Sequence, residues 1–146
     1  MSRKKEFKKD AVVFDLDGTL VDVMDYEKHH KHKNSSFAKE AEEANAIKKN
    51  VKKVKKADKK GKEIVILTAR SGHYEEQTKD WLKKHDIKPD KLVMRPEEDS
   101  KTPDKDIKER LLKKEVLPKY KVGKAYDDKH KNVKMFKKHG IKAKEV

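Results

Sequence analysis

Two carboxylates stand two residues apart after an apolar run, in Val12-Val13-Phe14-Asp15-Leu16-Asp17-Gly18-Thr19-Leu20. In a chain of formal net charge +14, local sign balance gives no reason to end a strand-like segment on a pair of acids. Further along, Thr68 closes the run Ile64 to Leu67, Lys108 lies in a segment of helical spacing, and Asp127-Asp128 follow Lys124-Ala125-Tyr126. Acids, a hydroxyl and an amine that converge from separate segments make a metal and phosphate site. A divalent cation there offsets the repulsion between carboxylate and phosphate. That chemistry requires a fold that carries all four segments to one place.

The hydrophobic pattern supplies such a fold. Residues 11–15 form a continuous apolar run of strand length, as expected of a strand buried on both faces of a parallel sheet. Ala41, Ala44, Ile47, Val51, Val54 and Ala57 recur at spacings of three and four and predict a helix over 38–59, stopped by Gly61. A second buried strand is predicted at 63–68, a helix near 74–85 with Trp81 and Leu82 inward, and a third strand near 91–94. Ile107, Leu111, Leu112 and Val116 predict a helix over 104–116, with Thr102 or Asp104 as cap and Pro103 at a tolerated first-turn position. A strand at 122–126, a helix at 130–138 with Val133 and Phe136 inward, and a short strand at 141–145 complete the chain. Strict alternation of strand and helix implies an α/β fold with right-handed crossovers, a Rossmann-like three-layer α/β/α sandwich around a mostly parallel five-stranded sheet. Ligands of such sheets bind beyond the carboxyl ends of the strands, where Asp15, Thr68 and Asp127-Asp128 stand and where Lys108 is brought by its helix.

Composition bounds the rest. A length of 146 residues with 33% hydrophobic content suits one domain over 1–146 with a modest core, its first residues, 1–9, forming a basic tail. Charged residues reach 47%, yet the apolar residues gather into AVVF, EIVILTA, KLVM and KVGKAY rather than scattering as in disordered chains. The absence of Cys removes disulfides and thiolate metal sites and fits a reducing compartment. No apolar run has the length of a membrane span and the start MSRKKEFKKD lacks a secretory segment, so a cytoplasmic protein is expected. The basic residues are four arginines (Arg3, Arg70, Arg95, Arg110) and 37 lysines. Lysine spread over every predicted helix reads first as a solvated surface, although its net charge attracts a polyanion.

Phe14-Asp15-Leu16-Asp17-Gly18-Thr19-Leu20, Thr68 after IVIL, Lys108, and Asp127-Asp128 after KAY together resemble the four motifs of the haloacid dehalogenase superfamily of phosphotransferases, in order and over nearly the whole chain. The stretch MRPEEDSKTPDKDIKERLLKKEV, with its distance to AYDD, further resembles the 3'-phosphatase domain of bacteriophage-type polynucleotide kinases. Arg95, Asp99, Asp104 and Lys108 match that family's pattern of a basic residue, two acids and the motif lysine.

The resemblance implies a magnesium-dependent phosphomonoesterase; the sequence itself leads us to expect no membrane association and makes no obligate protein partner evident. Asp15 would be the nucleophile that forms an aspartyl phosphate, and Asp17 would protonate the leaving oxygen and later deprotonate water. Mg2+ suits an all-oxygen site drawn from Asp15, the main-chain carbonyl of Asp17, and Asp127 or Asp128 or both. Thr68 with the nearby Gly18, Thr19, Ala69 and Arg70 would hold phosphate oxygens, and Lys108 would neutralise charge on the trigonal-bipyramidal species. Arg95 and Asp104 are further candidates for substrate binding. Plainer roles compete: Asp127 or Asp128 as a helix cap, Arg70 in a surface ion pair, and Asp99 and Asp104 as helix-start acids or as orienters of Lys108 or Arg95.

Residues 21–36 sit where superfamily members place a flap, and are too few for a full cap domain. An open site admits a polymer end, with Tyr26, Phe37 and Tyr74 as rim aromatics. His29, His30 and His32 form a short histidine tract without further ligands at metal-site spacing. There is no glycine-rich nucleotide-binding loop of the form G-x-x-x-x-G-K-S/T, so 5' phosphorylation by that route is excluded. Openness, the basic surface and the pattern from Arg95 to Lys108 point to a nucleic-acid 3'-phosphate as the expected substrate; the missing kinase loop and the 6% aromatic content stand against it. The alternatives are a nucleotidase or other small-molecule phosphatase and, in a different class, a non-catalytic nucleic-acid-binding module, which would have no need of paired acids.

Overall fold

The computed structural model describes residues 8–23 and 42–146. Five strands, β1 (Lys9–Phe14), β2 (Glu63–Ser71), β3 (Lys91–Arg95), β4 (Tyr120–Asp127) and β5 (Lys142–Glu145), form one sheet in the order β3-β2-β1-β4-β5. Every neighbouring pair is parallel. The helices α1 (Lys48–Lys59), α2 (Glu75–Lys84), α3 (Asp104–Leu111) and α4 (His130–Lys138) supply the crossovers.

Strand periodicity divides the core into two layers. On one face Val12 and Phe14 of β1 and Ile64 and Ile66 of β2 pack with Val51 and Val54 of α1 and Trp81 and Leu82 of α2. The alternate residues Ala11, Val13, Val65, Leu67, Ala125 and Ala143 face α3 and α4, where Ile107, Leu111, Val133 and Phe136 meet them. Two-sided burial is why the central strands read as continuous apolar runs rather than alternating ones. Full burial of one such side chain contributes about 1.5–3 kcal/mol.

Several elements depart from the sequence reading. β2, predicted over 63–68, runs on to Ser71, so Thr68 stands inside the strand rather than at its end, and the pairing with β3 shifts register between Leu67 and Ser71. The helix predicted over 38–59 begins at Lys48; Ile47 before it is extended (φ −84°, ψ 94°), Ala46 bridges Val21, and the start of the prediction, 38–41, lies outside the described residues. Ala44 is still buried, because its carbonyl accepts the Trp81 indole N–H at 2.8 Å. Apolar spacing alone therefore ran on past a real break. The helix predicted over 104–116 ends as an α-helix at Leu111 and continues as a π turn over Leu112–Val116, with Leu117 N–H on Leu112 O at 2.9 Å. The extra residue of that wider turn brings Val116 back to the face of Leu111. β1 stops at Phe14, one residue short of the predicted end, and leaves Asp15 beyond the strand.

Of the flap predicted at 21–36, residues 24–36 lie outside the described part, as do Tyr26, Phe37, His29, His30, His32 and residues 1–7 of the tail. No helix among the described residues is long and apolar enough to cross a membrane.

Candidate active site

The carboxyl ends of the central strands β2, β1 and β4 carry the site. Asp15 follows β1 directly, and its N–H donates to Tyr126 O at 3.0 Å, so the register of β1 against β4 fixes its position. The chain then turns tightly, with Leu20 and Val21 N–H both on Leu16 O at 2.9 Å. Leu16, Leu20 and Val21 anchor the turn in the core and leave Asp17, Gly18 and Thr19 around Asp15. Gly18 has φ +86°, and a Cβ there would overlap the Asp128 carboxylate. Both the backbone conformation and the approach of Asp128 therefore require glycine.

A buried amine lies between two of the acids. Lys108 Nζ of α3 stands 2.5 Å from Asp15 Oδ1 and 2.7 Å from Asp127 Oδ2. Burial works against the ammonium charge, but Asp15 and Asp127 overcome it and hold the Lys108 pKa above its ordinary value. Asp15 Oδ2 accepts from Thr19 Oγ1 at 2.9 Å. Asp127 Oδ1 accepts from Lys129 N at 3.0 Å and from Asn132 Nδ2 at 3.2 Å, so Asp127 also serves the start of α4. Desolvation pushes the Asp15 carboxyl up to about 8, opposed by Lys108 and reinforced by the Asp127 charge and the Asp128 carboxyl.

Acid thus exceeds base at this edge. One oxygen each of Asp15, Asp127 and Asp128 lies within 4.8 Å of the others, and Asp128 Oδ1 is buried without a hydrogen-bond partner among the described residues. An orphaned carboxylate oxygen beside two further acids fits a hard divalent cation with ligand distances of about 2.1 Å. Among the described residues, these three side chains are the ones that could hold it.

Beside them opens a cleft of about 220 Å3, walled by Asp15, Asp17, Thr68, Ala69, Arg70 and Lys108, with Ser71, Tyr74, Asp104, Lys129 and Asn132 at its margins. Thr68 Oγ1 accepts Arg70 N–H at 3.0 Å. Arg70 does not make the surface ion pair that its sequence context allowed. Its guanidinium is buried, grips Asp17 through Nη2 at 2.5 Å and Nε at 3.2 Å, and donates from Nη1 to Thr78 Oγ1 at 2.9 Å. Arg95 does not line the cleft. It reaches under it, donating to Ala69 O at 2.9 Å, Thr102 O at 2.7 Å and Asp104 Oδ1 at 2.8 Å. Asp99, 3.6 Å from Arg95, accepts from Thr102 and Lys101 and so folds the loop before α3. Asp99 and Asp104 therefore orient Arg95, and among the described residues neither carboxylate makes a hydrogen bond or ion pair with the Lys108 amine.

Residues 9–146 match the family model described as the polynucleotide kinase PNKP phosphatase domain. The chain belongs to that family. As a PNKP-type phosphatase domain of the haloacid dehalogenase class, it is a hydrolase acting on phosphoester bonds. A chain in the structure of a Pnkp1/Rnl/Hen1 complex superimposes with TM-score 0.81 at 28% identity, covering 95% of this chain and 46% of that one. A chain of the Pnkp1/Rnl/Hen1 RNA repair complex gives TM-score 0.81 at 27% identity, with 95% and 42% covered. The PNKP-type domain described here thus spans less than half the length of those relatives. A class C acid phosphatase from Bacillus anthracis with tungstate bound shares the fold, with TM-score 0.63 at 20% identity over 86% of this chain and 54% of that one. No curated protein matches the chain significantly.

Several residues of the site escaped the sequence reading. Asn132 steadies Asp127 and borders the cleft. Its signal was an asparagine inside a predicted helix, where that residue is unfavourable unless its side chain has a task. Asn50 gives the same signal in α1: its Nδ2 donates to Thr19 O at 2.8 Å and holds the loop that carries Thr19. Thr78 had no signal, because its role depends on where Arg70 points.

Proposed function

We propose that this PNKP-type domain is a magnesium-dependent phosphomonoesterase that removes 3'-phosphates from nucleic-acid ends through an aspartyl-phosphate intermediate. The observation that carries this reading is the excess of carboxylates over cations around Asp15, with Asp128 Oδ1 orphaned beside it. Asp15, Asp127 and Asp128 would hold Mg2+, joined by the main-chain carbonyl of Asp17. When bound, the ion neutralises carboxylate and phosphoryl charge so that the two can meet.

The chain's own residues do the rest. Thr19 and Lys108 hold the Asp15 carboxylate in one orientation, so that it attacks phosphorus as the bond to the leaving oxygen breaks. Lys108 lies close enough to stabilise charge on the five-coordinate species. Thr68 and Ala69, which border the cleft, would hold phosphate oxygens; the N–H groups of Gly18, Thr19 and Arg70 are already donated to Val21 O, Leu16 O and Thr68 Oγ1, so those residues shape the site rather than bind through their amides. Asp17 gives the leaving oxygen its proton and takes one from the water that cleaves the intermediate. In the structure Asp17 is ion-paired with Arg70. An incoming phosphate that draws Arg70 to itself would let Asp17 take up a proton from the phosphate monoanion or from solvent, and this is the proton it passes to the leaving oxygen. The family and the RNA repair assembly of a relative support a polynucleotide as substrate, and the basic surface is compatible with it. Protein partners follow from the same relatives as a second proposal, since the matching chains belong to complexes.

The test is a panel of a 3'-phosphorylated oligonucleotide, 3'- and 5'-mononucleotides and a phosphopeptide, each with Mg2+ and with chelator. The expected result is turnover of the oligonucleotide above all others, abolished by chelator. Faster turnover of 5'-mononucleotides would make the domain a nucleotidase, and binding without any turnover would make it a non-catalytic module.

A further inference from the structure

The catalytic cleft has a continuation. Asp104, Lys129 and Asn132 border it and also form the head of a larger groove, of about 1040 Å3, between the start of α3 and the outer face of α4. Lys131, Lys134 and Lys138 line that groove at spacings of three and four, which places them on one face of α4. Val133 and Phe136 occupy the opposite face, against the sheet. From Lys131 to Lys138 the helix rises about 10 Å, so the charges form a row leading away from the cleft. Pro103 and Met135 supply an apolar floor.

Lysine alone is no signal in this chain, so the decision rests on balance and position. A depression beside α2 and β3 carries Lys79, Lys83 and Lys88, but Asp86 and Asp90 line it as well. A groove on the open face of β4 and β5 is also rich in lysine, yet none of its lining residues borders the catalytic cleft. The α3–α4 groove has one acid among its described lining residues, Asp104, and that carboxylate is engaged by Arg95 at 2.8 Å. Lys138, at the far end, pairs with Glu109 at 2.7 Å, while Lys131 and Lys134 meet no carboxylate among the described residues.

We propose that this groove is the track of the nucleic-acid strand whose terminal phosphate enters the cleft, with Lys131 and Lys134 on successive backbone phosphates. The inference rests on the polynucleotide reading above and adds where the polymer lies. Contacts of this kind release condensed counterions and read no sequence, so they act on affinity, and the salt dependence reports their number.

The experiment compares kcat/KM for a 3'-phosphorylated oligonucleotide with that for a 3'-mononucleotide, at several salt concentrations, in wild type, in the double variant K131E/K134E and in the charge-matched control K79E/K83E on α2. The expected result is that K131E/K134E lowers the oligonucleotide-to-mononucleotide ratio by about tenfold and makes the oligonucleotide salt slope shallower by about one to two, while the control moves neither. A ratio unchanged in K131E/K134E, or lowered equally in the control, overturns the track while leaving the polynucleotide reading intact. A wild type that favours the mononucleotide defeats that reading and the track with it. General damage to folding would lower both substrates alike; K131Q/K134Q, which removes the charges without inverting them, must then lower the ratio, or the track is wrong.

Discussion

Two ionic clusters share the carboxyl edge of the sheet, one around Arg95 whose acid Asp104 is open to solvent and one around Lys108 whose acids Asp15 and Asp127 are buried, and they differ in their balance. Around Arg95 the guanidinium donates to the carbonyls of Ala69 and Thr102 and to Asp104, and Asp99 is satisfied by Thr102 and Lys101. Around Lys108 one amine faces Asp15 and Asp127, Asp128 adds a third carboxylate, and one of its oxygens has no partner among the described residues. Burying an unpaired charge costs several kcal/mol, whereas a fully hydrogen-bonded ionic cluster can approach neutrality. The first cluster is therefore architecture: it ties the end of β3 to β2 and to the loop that begins α3. The second keeps a deficit of positive charge that a ligand can fill.

The largest effect expected from breaking this contrast is at Asp15. Asp15→Asn removes the proposed nucleophile and one negative charge from the acid-rich cluster, so kcat on a 3'-phosphorylated oligonucleotide should fall by about 10⁴ or more. Urea unfolding should show stability kept or raised, because the mutation relieves repulsion. Lys108→Met separates the two effects. It should also abolish turnover, and in chelator it should lose about 3 kcal/mol by urea unfolding, since Asp15 and Asp127 would be left buried without their cation. A Lys108→Met domain as stable as wild type would show that the amine is not what balances those acids.

Arg95→Lys probes the satisfied cluster. A lysine keeps the charge and loses the fork, so about 2 kcal/mol of stability should disappear from the urea midpoint, with a smaller loss of kcat than at Asp15. Removing the metal sharpens the contrast from the other side. Mg2+ should raise the wild-type Tm by a few degrees through binding the folded state only, and Asp128→Asn should lose most of that rise while Arg95→Lys keeps it.

The smallest effect lies at neither cluster. Hydrogen bonds from Lys138 and His139 hold the Glu109 carboxyl down to about 2. A folded-state value below the unfolded one makes this contribution present above the unfolded pKa and lost as pH falls toward 2. Glu109→Gln should accordingly cost about 0.5 kcal/mol at pH 7 and nothing near pH 2, a modest figure because the pair is open to solvent.

The contrast also explains what the sequence could tell. Continuous apolar runs identify β1 and β2, and a carboxylate directly after such a run identifies Asp15, because in a parallel sheet the strand end is the site. Asp127 is legible for the same reason, as the last residue of β4, whereas Lys108, inside α3 and one of 37 lysines, is singled out only by the resemblance to the superfamily's motif order. The Asp17–Arg70 grip joins residues 53 apart in the chain and depends on side-chain direction, which periodicity does not carry. Arg95 is similar: the family pattern suggested substrate, whereas the carbonyls of Ala69 and Thr102 that engage it appear only once β3 lies beside β2. The start of α1 was missed because Ala44 and Ile47 keep the helical spacing while serving the loop that feeds Trp81 its acceptor. Burial patterns show which face is inward; they do not show which polar groups meet there.

The most direct test of the account is acid-quenched single turnover of an oligonucleotide carrying a radiolabelled 3'-phosphate, with Mg2+ present, followed by peptide mapping. Label should appear transiently on the peptide that contains Asp15 and be absent from the Asp15→Asn variant. Full turnover with no protein-bound label at any quench time, or label on a residue other than Asp15, would contradict it.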